Sequence, residues 1–259
     1  MNINIVMGIM IPFFGTTIGA AGVYCLKGEL RPYVQKILLG FASGVMVAAS
    51  VWSLLIPAIA MSDELGRFAF FPAAAGFSLG IVCLMLTDKA VNRLYQSVKQ
   101  PGSSMGSMAK TTMLVLAVTL HNIPEGMAVG VAFAGVLARE AGITLASAFA
   151  LALGIGIQNF PEGAIVSMPL KGNGMTKTKA FLCGTASGVV EPISAFLTLL
   201  LSAYITRLLP YLLSFAAGAM IYVVVEELVP EAAEGGADLG TAGFSFGFLV
   251  MMILDVMLG

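Results

Sequence analysis

Apolar residues follow one another along this chain in eight long stretches, with short polar connections between them. About 20 consecutive apolar residues are needed for a helix to cross the hydrocarbon core of a bilayer. Within that core, only helices and closed barrels satisfy every backbone hydrogen bond. The pattern therefore predicts an all-α integral membrane protein with a single transmembrane domain. Its eight predicted spans are 4–26, 37–60, 68–88, 112–137, 141–168, 179–203, 208–231 and 240–258.

The segments outside these spans are short, and none has the composition of a soluble domain. The longest connection, 89–111, contains Gly, Ser and Lys around residues 100–104 and predicts a flexible polar loop. The first apolar stretch lacks the basic start and the small-residue cleavage site of a signal peptide. We therefore expect it to be retained as the first span.

Composition agrees with a membrane protein and excludes several other classes. Hydrophobic residues make up 58% of the 259 residues and charged residues only 10%, whereas a soluble domain is about 25% charged. The formal charge of −1 leaves no basic face for nucleic acid. The three cysteines form neither a disulfide framework nor a zinc-ribbon spacing.

Basic residues are unevenly divided between the two sides of the predicted membrane. Ten of the 13 lie in or beside the connections after spans 1, 3 and 5, whereas those after spans 2, 4 and 6 hold one each. Cytoplasmic connections carry the excess of Lys and Arg in multi-pass proteins. We therefore predict that the odd connections are cytoplasmic, that both termini lie outside, and that the protein resides in the cell membrane.

Several glutamates lie inside predicted spans, although every lysine and arginine falls in a connection or at a helix end. A charge at the bilayer centre costs roughly 2.5–3.5 kcal/mol. A structural carboxylate would normally find a basic partner, so these groups need another cation or a proton. Such residues mark ion pathways. The intramembrane glutamates are Glu125, Glu162, Glu191, Glu226 and Glu227.

Spans 4 and 5 carry the same motif, His-Asn-Ile-Pro-Glu-Gly over 121–126 and Gln-Asn-Phe-Pro-Glu-Gly over 158–163. In each copy the first and fifth residues are four apart and share one helix face, which the asparagine flanks. The prolines interrupt backbone hydrogen bonding, and the glycines allow close helix packing. Repeated motifs on interrupted helices at mid-membrane indicate a transporter substrate site. The candidate ligands are His121, Asn122, Glu125, Gln158, Asn159 and Glu162.

These ligand types narrow the choice of ion. An imidazole with carboxylates and side-chain amides suits Zn²⁺, Mn²⁺, Fe²⁺ or Co²⁺, whereas Mg²⁺ and Ca²⁺ prefer oxygen ligands alone. His121 has an alternative interpretation as a core histidine bonded to a carbonyl group. Its position four residues from an intramembrane glutamate favours the ligand role.

Further candidate ligands lie on spans 2, 3, 6 and 7. Glu191 stands beside a helix-breaking proline, and Met46 offers a thioether, although packing is the commoner role of a methionine. Asp88, Glu226 and Glu227 come at the predicted cytoplasmic ends of spans 3 and 7. They predict a weak site at the inner mouth, with a solvated helix end as the alternative.

The sequence resembles the ZIP family of divalent-metal transporters, and within it the GufA-like branch, on these paired motifs and the eight spans. The resemblance implies import of Zn²⁺, and also of Fe²⁺, Mn²⁺, Co²⁺ and Cd²⁺, into the cytoplasm through a binuclear site. Three glutamates (Glu125, Glu162 and Glu191) would be shared by both metal positions. The first position would add His121, Gln158 and Met46, and the second Asn122 and Asn159. The resemblance also implies an inner exit at Asp88, Glu226 and Glu227, and an outer approach at Ser53.

The same resemblance carries expectations about architecture. Helices 1–3 and 6–8 would form an inverted repeat around helices 4–5, and the two bundles would move like an elevator in a homodimer within the lipid bilayer. The metal would be substrate, not catalytic cofactor, and the protein no enzyme. Gln158 departs from the histidine of many members, so we expect weaker discrimination for zinc. The connection between spans 3 and 4 lacks the His-rich tract of many relatives, which makes regulation through that loop doubtful.

Two other functions compete with metal transport. An ion-coupled carrier of a non-metal substrate would need a basic residue or an aromatic box near the site, and the centres of spans 4 and 5 offer neither. An intramembrane metallohydrolase would need a nucleophile motif and a third nitrogen ligand, and the motifs supply neither.

Overall fold

Long helices account for almost all of the structure described here, a computed structural model covering residues 3–25, 31–98, 106–140, 143–202, 206–236 and 238–258. The described residues contain no strand, and eight helical segments are long and apolar enough to cross a membrane. The prediction of an all-α, eight-span membrane protein is therefore confirmed. The segments are α1 (Ile3–Cys25), α2 (Pro32–Ala60), α3 (Phe70–Val98), α4 (Gly106–Ala138), α5 (Leu145–Gly172), α6 (Lys177–Leu201), α7 (Leu209–Ala233) and α8 (Asp238–Leu258).

The connection between α3 and α4 is the main departure from the predicted organisation. The prediction of a flexible loop over 89–111 is wrong, because α3 continues to Val98 and α4 starts at Gly106. Residues 99–105 lie outside the described part. Polar residues continue each helix beyond its apolar stretch, which the search for apolar runs does not detect. The predicted start of span 5 at 141 is also early, since Thr144 caps α5 by accepting a hydrogen bond from the Ser147 N–H.

The eight helices pack mainly as four pairs: α1 with α5, α4 with α6, α2 with α8, and α3 with α7. Within each pair, successive close backbone contacts move toward the C-terminus of both helices, so the two helices run parallel. Contacts of α4 with α7 and of α5 with α2 then join the two groups of four helices. Glycines allow close backbone contact in every pair, for example Gly15 with Gly156, Gly126 with Glu191, Gly40 with Gly240, and Gly80 with Phe215.

These pairs are related by an inverted repeat. The repeat relates α1 to α6, α2 to α7, α3 to α8 and α4 to α5. Under this relation the pair α1–α5 corresponds to the pair α6–α4, and the pair α2–α8 corresponds to the pair α7–α3. The sequence carries the same relation: residues 76–88 read GFSLGIVCLMLTD and residues 243–255 read GFSFGFLVMMILD. The expected arrangement of helices 1–3 and 6–8 around helices 4–5 therefore describes the packing.

Two wider helical turns stand at equivalent places in the repeat. Helix α2 is π-helical over Ser50–Leu55, just before Pro57, and α7 is π-helical over Val224–Leu228, just before Pro230. Proline removes one backbone donor and displaces the preceding turn, and π-helical turns are frequent at functional sites. Ser53 lies in the first of these segments, and Glu226 and Glu227 lie in the second.

Candidate metal site

The two copies of the x-Asn-x-Pro-Glu-Gly motif meet in the middle of the helical bundle. Each lies within an unbroken helix, α4 with Pro124 and α5 with Pro161 inside it. The motif glycines allow a third and a fourth helix to approach. A Cβ atom at Gly126 would overlap the carbonyl oxygen of Glu191 on α6, and one at Gly163 would overlap that of Thr16 on α1. The inverted repeat thus brings a polar residue of α6 and one of α1 to the two motifs.

Three carboxylates come together at this point. Glu125 and Glu191 are buried and Glu162 is half-buried. The charged groups that act on them are one another, His121 and Glu227; no lysine or arginine of the described part is among these groups. Glu191 lies in the first turn after the break in α6 at Val189, where the positive end of the helix dipole favours an anion.

In two of these carboxylates, one oxygen accepts hydrogen bonds from amide or hydroxyl groups. Gln158 donates from Nε2 to Glu125 Oε1 at 2.7 Å. Asn122 Nδ2 and Thr16 Oγ1 donate to Glu191 Oε1 at 2.8 and 2.9 Å. The carboxylates are therefore fixed in place by neutral donors, which leave their charge unpaired.

Several buried polar atoms of the site have no hydrogen-bond partner among the described residues. Asn159 lies beside Glu125 and Glu191, yet neither its Oδ1 nor its Nδ2 makes a hydrogen bond of accepted geometry. A buried polar group left without a partner costs about 1–3 kcal/mol, and a charged one more. The unpartnered oxygens are Asn122 Oδ1, Glu125 Oε2, Gln158 Oε1, Asn159 Oδ1 and Glu191 Oε2.

His121 points toward α7 and α3 in this conformation. Its Nε2 lies 3.0 Å from Glu227 Oε1 and 3.9 Å from Asp88 Oδ1. One potential ligand atom from each of these three residues falls within 4.8 Å of the others, which is a suitable arrangement for a metal ion. Asp88 is held by a hydrogen bond of 3.0 Å from the Tyr222 hydroxyl. The sequence did not predict Tyr222, since only the packing of α7 on α3 brings it there.

A cavity of about 100 Å³ connects the carboxylates with this cluster. Its polar lining comprises Glu125, Glu162, His121, Glu227 and Glu231, and the other lining residues are aliphatic. Glu231, at the far end, accepts a hydrogen bond of 2.7 Å from Gln35 Nε2. We refer to this end of the molecule as the Asp88 side, and to the opposite end as the Asp255 side.

Two predicted ligands lie apart from these clusters. Glu226 is exposed and does not belong to the group of Asp88, His121 and Glu227. Met46 is buried within the main hydrophobic cluster. The participation of both residues in metal binding stays a prediction.

On the Asp255 side, Ser53 meets a carboxylate that was not among the predicted site residues. Ser53 Oγ donates to Asp255 Oδ1 at 2.6 Å, and Asp255 Oδ2 has no partner among the described residues although Asp255 is only 7% exposed. Both residues line a cavity of about 200 Å³. The signal that identifies Asp255 in the sequence is the repeat of 76–88 in 243–255, where it occupies the place of Asp88.

Comparisons with known proteins identify similar metal transporters. A family model described as ZIP zinc transporter matches residues 99–255. The zinc transporter ZIP11 of Xenopus tropicalis is 37% identical over 326 aligned positions, covering 98% of this chain and 96% of the relative. The zinc transporter GufA of Myxococcus xanthus is 34% identical, with 95% and 96% covered. The zinc transporter ZIPB of Bordetella bronchiseptica is also 34% identical, with 98% and 81% covered.

Proposed function

The chain belongs to the ZIP family of zinc transporters, and we propose that it carries Zn²⁺ and similar divalent ions through the site between α4 and α5 into the cytoplasm. It is a multi-pass membrane protein that transports divalent metal ions. We further propose that the transported ions include Fe²⁺, Mn²⁺, Co²⁺ and Cd²⁺. We also propose that the site is binuclear, that transport is directed into the cytoplasm, and that the two groups of helices move against each other.

The observation that carries the proposal is the set of five buried oxygens without a donor. They belong to three amides and two carboxylates, and no lysine or arginine in the described part of the chain forms an ion pair with these carboxylates. Divalent cations would bind these acceptors and would neutralise the carboxylates. Carboxylate and amide oxygens with a nearby imidazole suit the borderline metals better than Mg²⁺ or Ca²⁺.

The same residues divide into two adjacent metal positions. Glu125, Glu162 and Glu191 are shared between them; Gln158, His121 and Met46 complete one, and Asn122 and Asn159 complete the other. The hydrogen bond from Asn122 to Glu191 and the location of Asn159 beside Glu125 and Glu191 support the second group. His121 serves the first position when it turns from Glu227 toward Glu125, which lies one helical turn away on α4.

The path follows the charged residues from one side to the other. Ions approach past Ser53 and Asp255, reach the carboxylates, and leave through His121, Glu227 and Asp88. The cavity from Glu125 to Glu231 supports access from the Asp88 side in this conformation. The distribution of Lys and Arg in the sequence makes that side cytoplasmic.

Alternating access comes from an elevator-like movement of one group of four helices against the other, in a homodimer in the cell membrane. Inverted repeats with the site at their interface support such a movement, since transporters of this kind expose the site by rocking one bundle against the other. The group α1, α4, α5 and α6 carries most of the metal ligands and is the moving part.

The competing carrier of an organic substrate is not supported by the cavity. Organic ligands occupy pockets of about 300–1,000 Å³ that aromatic side chains often line. The cavity at the carboxylates measures about 100 Å³ and has no aromatic residue in its lining.

Uptake of radioactive zinc into proteoliposomes tests the proposal. Glu125→Gln keeps the size of the side chain and removes a charge that both metal positions share, so uptake should fall at least 10-fold. Glu64→Gln is the matched control, because Glu64 is exposed in the 3₁₀ segment Asp63–Phe68. Uptake by Glu125→Gln at the rate of this control would contradict the proposed site.

A further inference from the structure

The inverted repeat pairs residues that have different surroundings in this conformation. His121 of α4 and Gln158 of α5 occupy the same place in the two motifs, and Asp88 of α3 and Asp255 of α8 occupy the same place in 76–88 and 243–255. Counted back from Pro57 and Pro230, Ser53 in the π-helical turn of α2 corresponds to Glu226 of α7. His121, Asp88 and Glu226 thus correspond to Gln158, Asp255 and Ser53, whereas Glu227 corresponds to the buried, apolar Leu54.

Only one of the two equivalent contacts is made here. His121 lies 3.9 Å from Asp88, whereas Gln158 donates to Glu125 and its Oε1 has no partner among the described residues. Asp255 is bonded to Ser53 through Oδ1, and its Oδ2 has no partner there. Gln158 is fully buried and Asp255 is 7% exposed, so each holds a buried oxygen that is free to bind.

The packing of α5 against α8 shows how far Gln158 lies from Asp255 along the axis of α5. Leu151 of α5 lines the cavity that contains Asp255. Gln158 follows Leu151 by seven residues, which is two helical turns on the same face, or about 10 Å of axial rise. Met251 fills the intervening level, since a Cβ atom at Gly154 would overlap its sulfur.

We propose that Gln158, Asp255 and Ser53 form a transient binding site for a divalent cation when α5 and its group move about 10 Å toward the Asp255 side. This site is the counterpart of the His121–Asp88 contact, with Ser53 in the place of Glu226, and it rests on the proposed function and on the movement described there. The physical reason is that an inverted repeat supports two conformations in which its halves exchange surroundings.

The two clusters differ in chemistry. An amide, a carboxylate and a hydroxyl supply oxygen ligands only, which suit Mn²⁺ and harder divalent ions better than a site with an imidazole does. The cluster on the Asp88 side includes the imidazole of His121, which favours Zn²⁺ over Mn²⁺. The Asp255 side therefore admits divalent ions with little discrimination, and the Asp88 side favours Zn²⁺.

Mercury cross-linking in membranes tests the predicted contact. Cys25, Cys83 and Cys183 are first replaced by Ala, and a protease site is placed in the connection at Asn173–Gly174, so that only linked halves stay together after cleavage. The Gln158→Cys/Asp255→Cys pair should then be linked by Hg²⁺.

The matched control is the Ile157→Cys/Asp255→Cys pair, because the neighbouring Ile157 lines a different, apolar groove with Gly15 and Phe41. This pair should not be linked. The His121→Cys/Asp88→Cys pair, with the protease site placed instead between α3 and α4, reports the contact seen in this conformation. Failure of Gln158→Cys/Asp255→Cys in membranes where His121→Cys/Asp88→Cys is linked would overturn the proposal.

Metal binding at the same place is measured by protection of a single cysteine. Zn²⁺ or Mn²⁺ should slow the reaction of Ser53→Cys with a thiol reagent severalfold, and adding Gln158→Leu should abolish most of this protection. Adding Glu191→Gln, which alters the central site but leaves Gln158, should preserve it. Protection unchanged by Gln158→Leu would show that Gln158 is no ligand there. These measurements do not depend on transport, so a failure of zinc uptake contradicts the proposed function and not this contact.

Discussion

Replacement of Glu191 by Gln separates metal binding from structural stability. Glu191 is fully buried, accepts two hydrogen bonds on Oε1 from Thr16 and Asn122, and has no partner for Oε2 among the described residues. Glutamine retains the accepting oxygen and places an NH₂ group where the metal would bind. The substitution therefore removes one ligand atom and one charge with almost no change in shape.

The expected effect without metal is small because two terms oppose each other. Removing a buried intramembrane charge gains roughly 2.5–3.5 kcal/mol. The two hydrogen bonds then lose their charge assistance, at about 1–1.5 kcal/mol each. The metal-free variant should consequently unfold within about 1 kcal/mol of the parent protein.

The effect with metal is large. A ligand present at 100 times its Kd stabilises the parent by about 2.7 kcal/mol. Loss of even an outer-shell partner weakens metal binding about 10–100-fold, so loss of a direct ligand should do at least as much. At the same metal concentration, the metal-induced stabilisation should fall to about 1.4 kcal/mol for a 10-fold loss and to about 0.4 kcal/mol for a 100-fold loss.

Thermal unfolding of detergent-purified protein, with and without Zn²⁺, measures both quantities on one sample. The parent protein and the exposed control Glu64→Gln should show the same metal-induced rise in melting temperature, and Glu191→Gln should show little. A full rise in Glu191→Gln would refute the assignment of Glu191 as a ligand. If the metal-free Glu191→Gln protein were far less stable than the parent, the expected balance between the removed buried charge and the weakened hydrogen bonds would be refuted.

Three further predictions concern single positions. Gln158→His adds a nitrogen ligand and should raise the ratio of Zn²⁺ to Mn²⁺ uptake measured in competition; an unchanged or lower ratio would mean that Gln158 does not bind the ion. Gly126→Ala places a methyl group against the Glu191 carbonyl and should destabilise the protein by at least the 1–3 kcal/mol of an overpacked core, whereas Gly22→Ala, with open space around it, should unfold at or slightly above the parent temperature. His121→Ala should weaken Zn²⁺ binding and flatten its decline between about pH 7 and pH 5, the range in which protons compete for an ordinary imidazole; an unchanged pH profile of Zn²⁺ affinity would indicate a packing role.

The number and nature of the helices were predictable because the bilayer imposes a length and a composition on every span. The extension of α3 and α4 through 89–98 and 106–111 was not, since these polar turns lie beyond the apolar stretches that carry the signal. The inverted repeat was predicted through a family resemblance. It is also visible in the sequence itself, where 76–88 and 243–255 share six of thirteen residues.

The candidate site was predictable where its residues lie on one motif and not where distant helices complete it. The paired motifs bring Glu125, Gln158 and Asn159 together as the spacing indicated. The contact of His121 with Glu227 depends on how α7 packs against α4, which no local pattern encodes. Asp255 is a lone carboxylate near the end of the last apolar stretch, and only its correspondence with Asp88 distinguishes it from a helix-end acid.

The hydrogen bonds within the central site explain why four of its unpartnered atoms are oxygens suited to a cation. Gln158 and Asn122 each use their NH₂ group to hold a carboxylate oxygen, and each thereby leaves its amide oxygen free. The carboxylates they hold keep Oε2 free in the same way. Binding of metal ions at these four oxygens would break none of the existing hydrogen bonds, so the ligands are positioned before the ions arrive. Neutral donors achieve this positioning without supplying a competing positive charge, which a lysine or arginine in their place would do.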